Sequence, residues 1–147
     1  MNNRGYFGIG VYHPKAQVNI GTLWRSAYQL GAQFIFTVGR RYGHQASDTY
    51  KAPKQIPLFH MLDIDELWRF IPHGCPVVAI EMGGITLPSF YHPKRAIYLL
   101  GAEDHGLPQD VLDRCHQVVS IPSVRVESYN VAQAGTLVMY DRMVKRE

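Results

Sequence analysis

Short, almost wholly apolar runs alternate with segments of helical periodicity along this chain, and that alternation constrains its fold more than any other feature. The runs are Tyr6 to Tyr12, Gln33 to Val38, Pro76 to Met82, Arg95 to Leu100 and Gln117 to Ile121. A strand with one wet face alternates apolar and polar residues. A strand that is apolar at nearly every position is covered on both faces. Between the runs, Asn19 reads as an N-cap for a helix from Ile20 to Leu30, which Gly31 closes. Asp63 caps a second helix carrying Ile64, Leu67, Trp68 and Ile71. Pro108 opens a short third helix to about Cys115, and Val131 to Val144 is the last. The expectation is an α/β fold, a parallel sheet covered by helices on both faces. Residues 39 to 57 are polar, with Gly39, Gly43, Pro53 and Pro57, and read as one long loop.

At 147 residues the chain is expected to be a single domain, 1–147, with a core of its own. Its 46% hydrophobic and 18% charged residues are ordinary for a soluble protein. No apolar run reaches the roughly 18–20 residues of a membrane span. The start, Met-Asn-Asn-Arg-Gly, lacks the apolar core of a signal peptide, so a cytoplasmic protein without a membrane partner is expected. Cys75 and Cys115 form no CxxC, and the seven histidines show no ligand spacing, so no metal is expected. The net charge of +3 permits an anionic partner without requiring one. Arg40, Arg41, Lys51 and Lys54 are candidate contacts to such a partner, although a solvated loop explains them equally well.

In parallel sheets ligands bind beyond the carboxyl ends of the strands. Three polar segments are placed to meet there: Asn19 to Arg25, Leu100 to Pro108, and Ile121 to Ala132. Each has a plainer reading. Asn19 and Asn130 suit helix caps, Ser128 suits a turn, and Arg25 suits a surface ion pair. Asn19 and Arg25 lie six residues apart, about 120° from one another around a helix. The Gly101 to Gly106 turn lets a ligand approach the backbone, yet it is neither GxGxxG nor a phosphate loop. Trp24 belongs to the core or an interface rather than to a stacking platform.

Together the three segments resemble the three motifs of the SPOUT methyltransferases, in their SpoU (TrmH-like) branch. Asn19, Gly21, Arg25 and Ala27 match Asn-x-Gly-x-x-x-Arg-x-Ala. Gly101, Glu103, Gly106 and Leu107 match Gly-x-Glu-x-x-Gly-Leu. Ile121-Pro122 and Ser128-Tyr129-Asn130-Val131 match Ile-Pro, a spacer, and Ser-Leu-Asn-Val. Tyr129 stands where the pattern has Leu or Met, and Ser123 follows Ile-Pro where Met is frequent.

The resemblance implies methyl transfer from S-adenosylmethionine to RNA, at a ribose 2′-oxygen, with tRNA favoured and rRNA the alternative. It also implies a homodimer, and a C-terminal deep trefoil knot that general rules of chain topology would not suggest. It places the cofactor against Ile80, Gly101, Ile121, Ser128 and Tyr129. It makes Arg25 the catalytic arginine, with Asn19, Glu103, Ser128 and Asn130 as the polar residues around it. Two other readings compete: a catalytically inactive knotted RNA-binding scaffold, and a nucleotide-binding regulator unrelated to methylation.

Overall fold

A computed structural model describes residues 5–39, 55–101, 106–125 and 128–146, with the side chains of residues 17 and 18 left aside. The chain runs β1 (Tyr6–Tyr12), α1 (Gln17–Gln29), β2 (Phe34–Val38), β3 (Leu58–Met61), α2 (Ile64–Phe70) and β4 (Val77–Thr86). It continues through a 3-10 turn (Leu87–Ser89) to β5 (Arg95–Leu100), α3 (Gln109–Arg114), β6 (Gln117–Ser120) and α4 (Val131–Arg146). Among the described residues six strands form one sheet in the order β3-β2-β1-β5-β4-β6, and every pairing is parallel.

The two faces are built from different residues of the same strands. In β1, Phe7, Ile9 and Val11 point to the face covered by α1 and α4. Gly8 and Gly10 point the other way, paired in register with Phe34 and Phe36. A Cβ on either glycine would lie 2.3 Å from the neighbouring ring, so the glycines make room for two phenylalanines. Those rings join Val77, Ala79, Ile97 and Leu99 under α2 and α3. Each large apolar side chain taken fully out of water contributes about 1.5–3 kcal/mol, so both covered faces stabilise the sheet.

Helix α1 buries Ile20, Leu23, Trp24 and Ala27, one stripe at helical spacing, and Trp24 donates from Nε1 to the Ile56 carbonyl at 3.0 Å. Helix α4 comes down on the same face. Its Gly135 lies so close to the core that a Cβ there would be 2.5 Å from Leu23 and 3.1 Å from Leu100. A residue without a side chain therefore sets how near α4 sits to α1 and β5.

The far end of α4 is held by a buried polar cluster. Arg142 donates to the carbonyls of Pro93 and Lys94, both at 2.7 Å, and to the Tyr98 hydroxyl at 3.0 Å. Its guanidinium also lies 4.8 Å from the centre of the Phe7 ring. A guanidinium only donates, so the Tyr98 oxygen accepts from Arg142, and the same hydroxyl lies 2.7 Å from His92 Nδ1. His92 Nε2 lies 2.7 Å from the Asp141 carboxylate. Burial lowers the His92 pKa below its ordinary value, so near neutral pH the ring is neutral with its proton on Nε2, and Nδ1 accepts from the Tyr98 hydroxyl. Lys145 adds bonds to the Leu87 and Phe90 carbonyls and an ion pair with Asp141, and Arg146 donates to the His92 carbonyl.

Some expectations change. The sheet has a strand beyond the expected five: Leu58–Met61 is too short and mixed to announce itself, and it pairs only along the edge of β2. Strand β4 continues past Gly83 to Thr86 through a bulge, because Ile80 and Ile85 both face Val119 of β6. Helix α1 begins at Gln17 with Ala16 as its N-cap, so Asn19 lies inside the first turn rather than at the cap position. Pro108 is the N-cap of α3 rather than its first residue. Asp63 caps α2 as expected, accepting from the Glu66 amide at 2.9 Å.

His92 gives the fold a pH signature. Burial lowers its pKa below the ordinary 6.5, outweighing the bond to Asp141, which acts in the opposite sense, while Arg142 and Lys145 add to the lowering. Since the folded value is the lower one, the stabilisation is complete above pH 6.5 and is lost as pH falls from there through the folded value. A protonated ring would also leave the Tyr98 proton without an acceptor. His92→Phe should cost about 1–3 kcal/mol at neutral pH and flatten the acid limb of stability, measured by urea unfolding across pH. An unchanged acid limb would remove His92 from this account.

Candidate functional site

The parallel sheet delivers the carboxyl ends of its strands to one edge. Ile80 of β4 is in register with Leu100 of β5, so Ile80 and Gly101 are neighbours there. Val119 of β6 pairs with Ile80, which puts Ile121 on the other side of β4. Three of the expected cofactor positions thus sit beyond three adjacent strands. Gly101 packs so tightly that a Cβ would lie 2.5 Å from the Gly106 carbonyl carbon. Gly101 and the Gly106–Leu107 backbone therefore meet with no side chain between them.

The segment after β6 folds back on itself. The Tyr129 hydroxyl donates to the Pro122 carbonyl at 2.7 Å, and Ser123 donates to the Arg125 carbonyl at 2.6 Å. These are the two places where the sequence departs from the SpoU pattern, and both substituted hydroxyls bond within this loop. Ser128 is exposed beside Tyr129. Asn130 then opens α4: its Oδ1 accepts from the amides of Ala132 and Gln133, at 2.9 and 3.2 Å. Its amide nitrogen donates to Asn19 Oδ1 at 3.0 Å. One side chain both caps α4 and ties it to the first turn of α1, 111 residues away in sequence.

Asn19 meets that amide from inside the first turn of α1, one turn beyond the Ala16 cap position. Arg25 lies farther along α1, exposed, and no described residue accepts a hydrogen bond from its guanidinium. The structure thus brings Asn19, Asn130, Ser128 and Tyr129 into one neighbourhood and Ile80, Gly101 and Ile121 into another beside it. It does not tie Arg25 to either. Glu103 and the basic residues Arg40, Arg41, Lys51 and Lys54 lie outside the described residues.

Sequence reasoning passed over Glu81. Its carboxylate accepts from the Leu107 amide at 2.7 Å and from the Met82 amide at 2.9 Å. The signal was present in principle: a lone carboxylate closing an apolar strand, followed by Gly83-Gly84. The cysteines offer no chemistry here. Cys75 is buried, and burial pushes the Cys115 thiol up to about 11. Among the described residues no His, Cys, Asp and Glu group could hold a metal ion, and no helix is long and apolar enough to cross a membrane.

A family model described as the SpoU rRNA Methylase family matches residues 7–140. A 23S rRNA (uridine(2479)-2'-O)-methyltransferase of Streptomyces viridochromogenes is 26% identical, over 96% of this chain and 53% of its own length. This chain therefore spans about half of that relative. A tRNA (cytidine(34)-2'-O)-methyltransferase of Ancylobacter novellus is 27% identical, over 89% of this chain and 87% of its own length. The crystal structure of the SpoU methyltransferase AviRb from S. viridochromogenes, in complex with the cofactor AdoMet, superposes with a TM-score of 0.87. That match has 23% identity and covers 96% of this chain and 58% of the other.

The two duties of Asn130 can be separated. Asn130→Ala should lose about 0.5–2 kcal/mol, measured by denaturant unfolding. Asn130→Ser keeps a capping oxygen but has no amide for Asn19, and should retain most of that stability. Equal losses in both would mean that the tie to Asn19, not the cap, stabilises α4.

Proposed function

The chain belongs to the SpoU rRNA methylase family, and we propose that it transfers a methyl group from S-adenosylmethionine to a ribose 2′-oxygen of RNA. The observation that carries this reading is the family match across residues 7–140. The gathering of Asn19, Ser128 and Asn130 beside Ile80, Gly101 and Ile121 supports it. The near end-to-end alignment with the tRNA enzyme favours tRNA. A ribosomal RNA is the second reading, because the Streptomyces relative is a 23S rRNA enzyme. The proposal includes the threaded C-terminal knot that the family resemblance implies, and a cytoplasmic setting in which Cys75 and Cys115 stay as free thiols.

The residues suit the cofactor. Ile80, Ile121 and Tyr129 give apolar walls, and the closely packed backbones of Gly101 and Gly106 stand beside them, a combination that fits a nucleoside. Bound there, S-adenosylmethionine would supply an electrophilic methyl on its sulfonium sulfur. The protein's work is then alignment and charge stabilisation. Alignment alone lowers a barrier by up to roughly 7–11 kcal/mol in the best cases. Arg25 is assigned to the RNA phosphate beside the target ribose and to the charge developing on the 2′-oxygen. A guanidinium stays protonated in proteins, so it serves as an electrostatic partner rather than as a base. Asn19, Ser128 and Asn130 hold the two neighbourhoods together, and Glu103 is proposed as a further polar residue of the site. Arg40, Arg41, Lys51 and Lys54 are proposed for backbone phosphates.

A homodimer is part of the proposal. Along α4, Leu137, Tyr140 and Val144 are 40%, 55% and 53% exposed and fall on one stripe. The stripe continues into a groove of about 370 Å³ between α1 and α4, lined by Thr22, Tyr129, Gln133 and Leu137. A second copy on this stripe would bring a partner surface to Tyr129. Tyr140→Glu should yield a monomer by sedimentation; a wild-type protein that is itself monomeric would refute the dimer.

Methyl transfer to total tRNA and to rRNA tests the activity and separates its two substrates. Arg25→Ala should retain cofactor affinity by calorimetry and lose turnover by roughly 10²–10³. Full turnover in both Arg25→Ala and Arg25→Lys would end any catalytic role. Neutralising the four basic residues should flatten the salt dependence of RNA binding by about 3–4 in logarithmic slope. Cofactor binding without turnover on either RNA would favour the inactive scaffold.

A further inference from the structure

Glu81 occupies a position that neither the sequence pattern nor the family resemblance singles out. It is the first residue of the bulge in β4, directly after Ile80. Bulges re-aim side chains, and this one sends a carboxylate across to the turn that follows β5. One oxygen accepts from the Leu107 amide at 2.7 Å, and the other accepts from the Met82 amide at 2.9 Å. A charged acceptor makes each of these bonds stronger than a neutral one would be.

Gly106 leaves room for that carboxylate. Gly106 has φ +65°, and a Cβ there would lie 2.2 Å from Glu81 Oε2. Any side chain at position 106 would thus meet the carboxylate as well as the backbone strain. Gly101, at the start of the same turn, packs against Gly106 and the Leu107 amide nitrogen. The bulge is itself pinned from the other side, where Ser120 donates to the Gly84 carbonyl at 3.1 Å. Glu81 therefore links the Ile80 wall to the Gly101–Leu107 wall, and Ser120 links both to the segment that leads into Ile121.

We propose that Glu81 is a positioning residue for the cofactor, whose carboxylate holds the turn after β5 at the end of β4 so that the two walls stand at the spacing S-adenosylmethionine requires. The inference rests on the methyltransferase reading above. It assigns Glu81 no contact with the reacting atoms. Its loss therefore weakens cofactor binding and leaves the chemical step of a saturated enzyme nearly unchanged.

The test compares Glu81→Ala and Glu81→Gln in the full chain by three readouts: hydrogen exchange at the Leu107 amide, calorimetric affinity for S-adenosylmethionine, and KM against kcat for methyl transfer. Glu81→Ala should expose the Leu107 amide, weaken cofactor binding by roughly tenfold to a hundredfold, and keep kcat within about twofold at saturating cofactor. Glu81→Gln retains an oxygen for Leu107 and should recover most of the affinity and protection; it also keeps the test open if the alanine variant fails to fold. Unchanged affinity in a folded Glu81→Ala protein overturns the proposal, as does a glutamine variant no better than alanine or a loss confined to kcat. An unaltered protein that binds no S-adenosylmethionine, while its Leu107 amide is protected, overturns the methyltransferase reading itself and this inference with it.

Discussion

Parallel pairing throughout the sheet is the constraint from which the other features follow. Every strand runs the same way, so every strand's carboxyl end arrives at one edge, and each return crossing must cover a face. That is why the strands are apolar on both sides and why Ile80, Gly101 and Ile121 come together at one edge. The constraint reaches down to single residues. Gly8 and Gly10 yield one face of β1 to Phe34 and Phe36, and Gly135 lets α4 settle over Leu23 and Leu100 on the other.

Helix α4 joins the site to the rest of the molecule. At its start Asn130 caps it and reaches Asn19; at its far end Arg142 and His92 anchor it to the segment entering β5. The far anchor is buried, with Arg142 donating to two carbonyls and to the Tyr98 hydroxyl, and His92 bridging Tyr98 and Asp141. The near anchor is exposed. The helix is thus firmly seated away from the site and presents polar side chains at it, an arrangement that preorganises a site without burying it.

Much of this was legible in the residues, and the failures have physical causes. The buried strands announced themselves because both-face burial leaves no room for polar alternation. Asp63 and Asn130 were readable as caps because their short side chains mimic a backbone acceptor. Asn19 was not, because the cap preference is local while the true boundary lies at Ala16, a residue with no capping group. The edge strand Leu58–Met61 escaped because its half-exposed pattern resembles a loop. Its place is set by pairing with β2 and by the bond between Thr37 and His60. Glu81 stood out only as a lone carboxylate closing an apolar strand; its partner is the backbone amide of Leu107, which no residue type announces. The proximity of the three motif segments could be expected from the sheet, but the Asn19–Asn130 bond, between residues 111 apart, could not.

The central claim is that the carboxyl edge of β4, β5 and β6, closed by the start of α4, is the S-adenosylmethionine site. Backbone amide resonances followed by NMR during titration with S-adenosylmethionine test it most directly. The account predicts saturable shifts at Ile80, Glu81, Gly101, Leu107, Ile121, Tyr129 and Asn130, with the His92 and Arg142 region unmoved. Saturable shifts centred elsewhere, or none at millimolar cofactor, would contradict it.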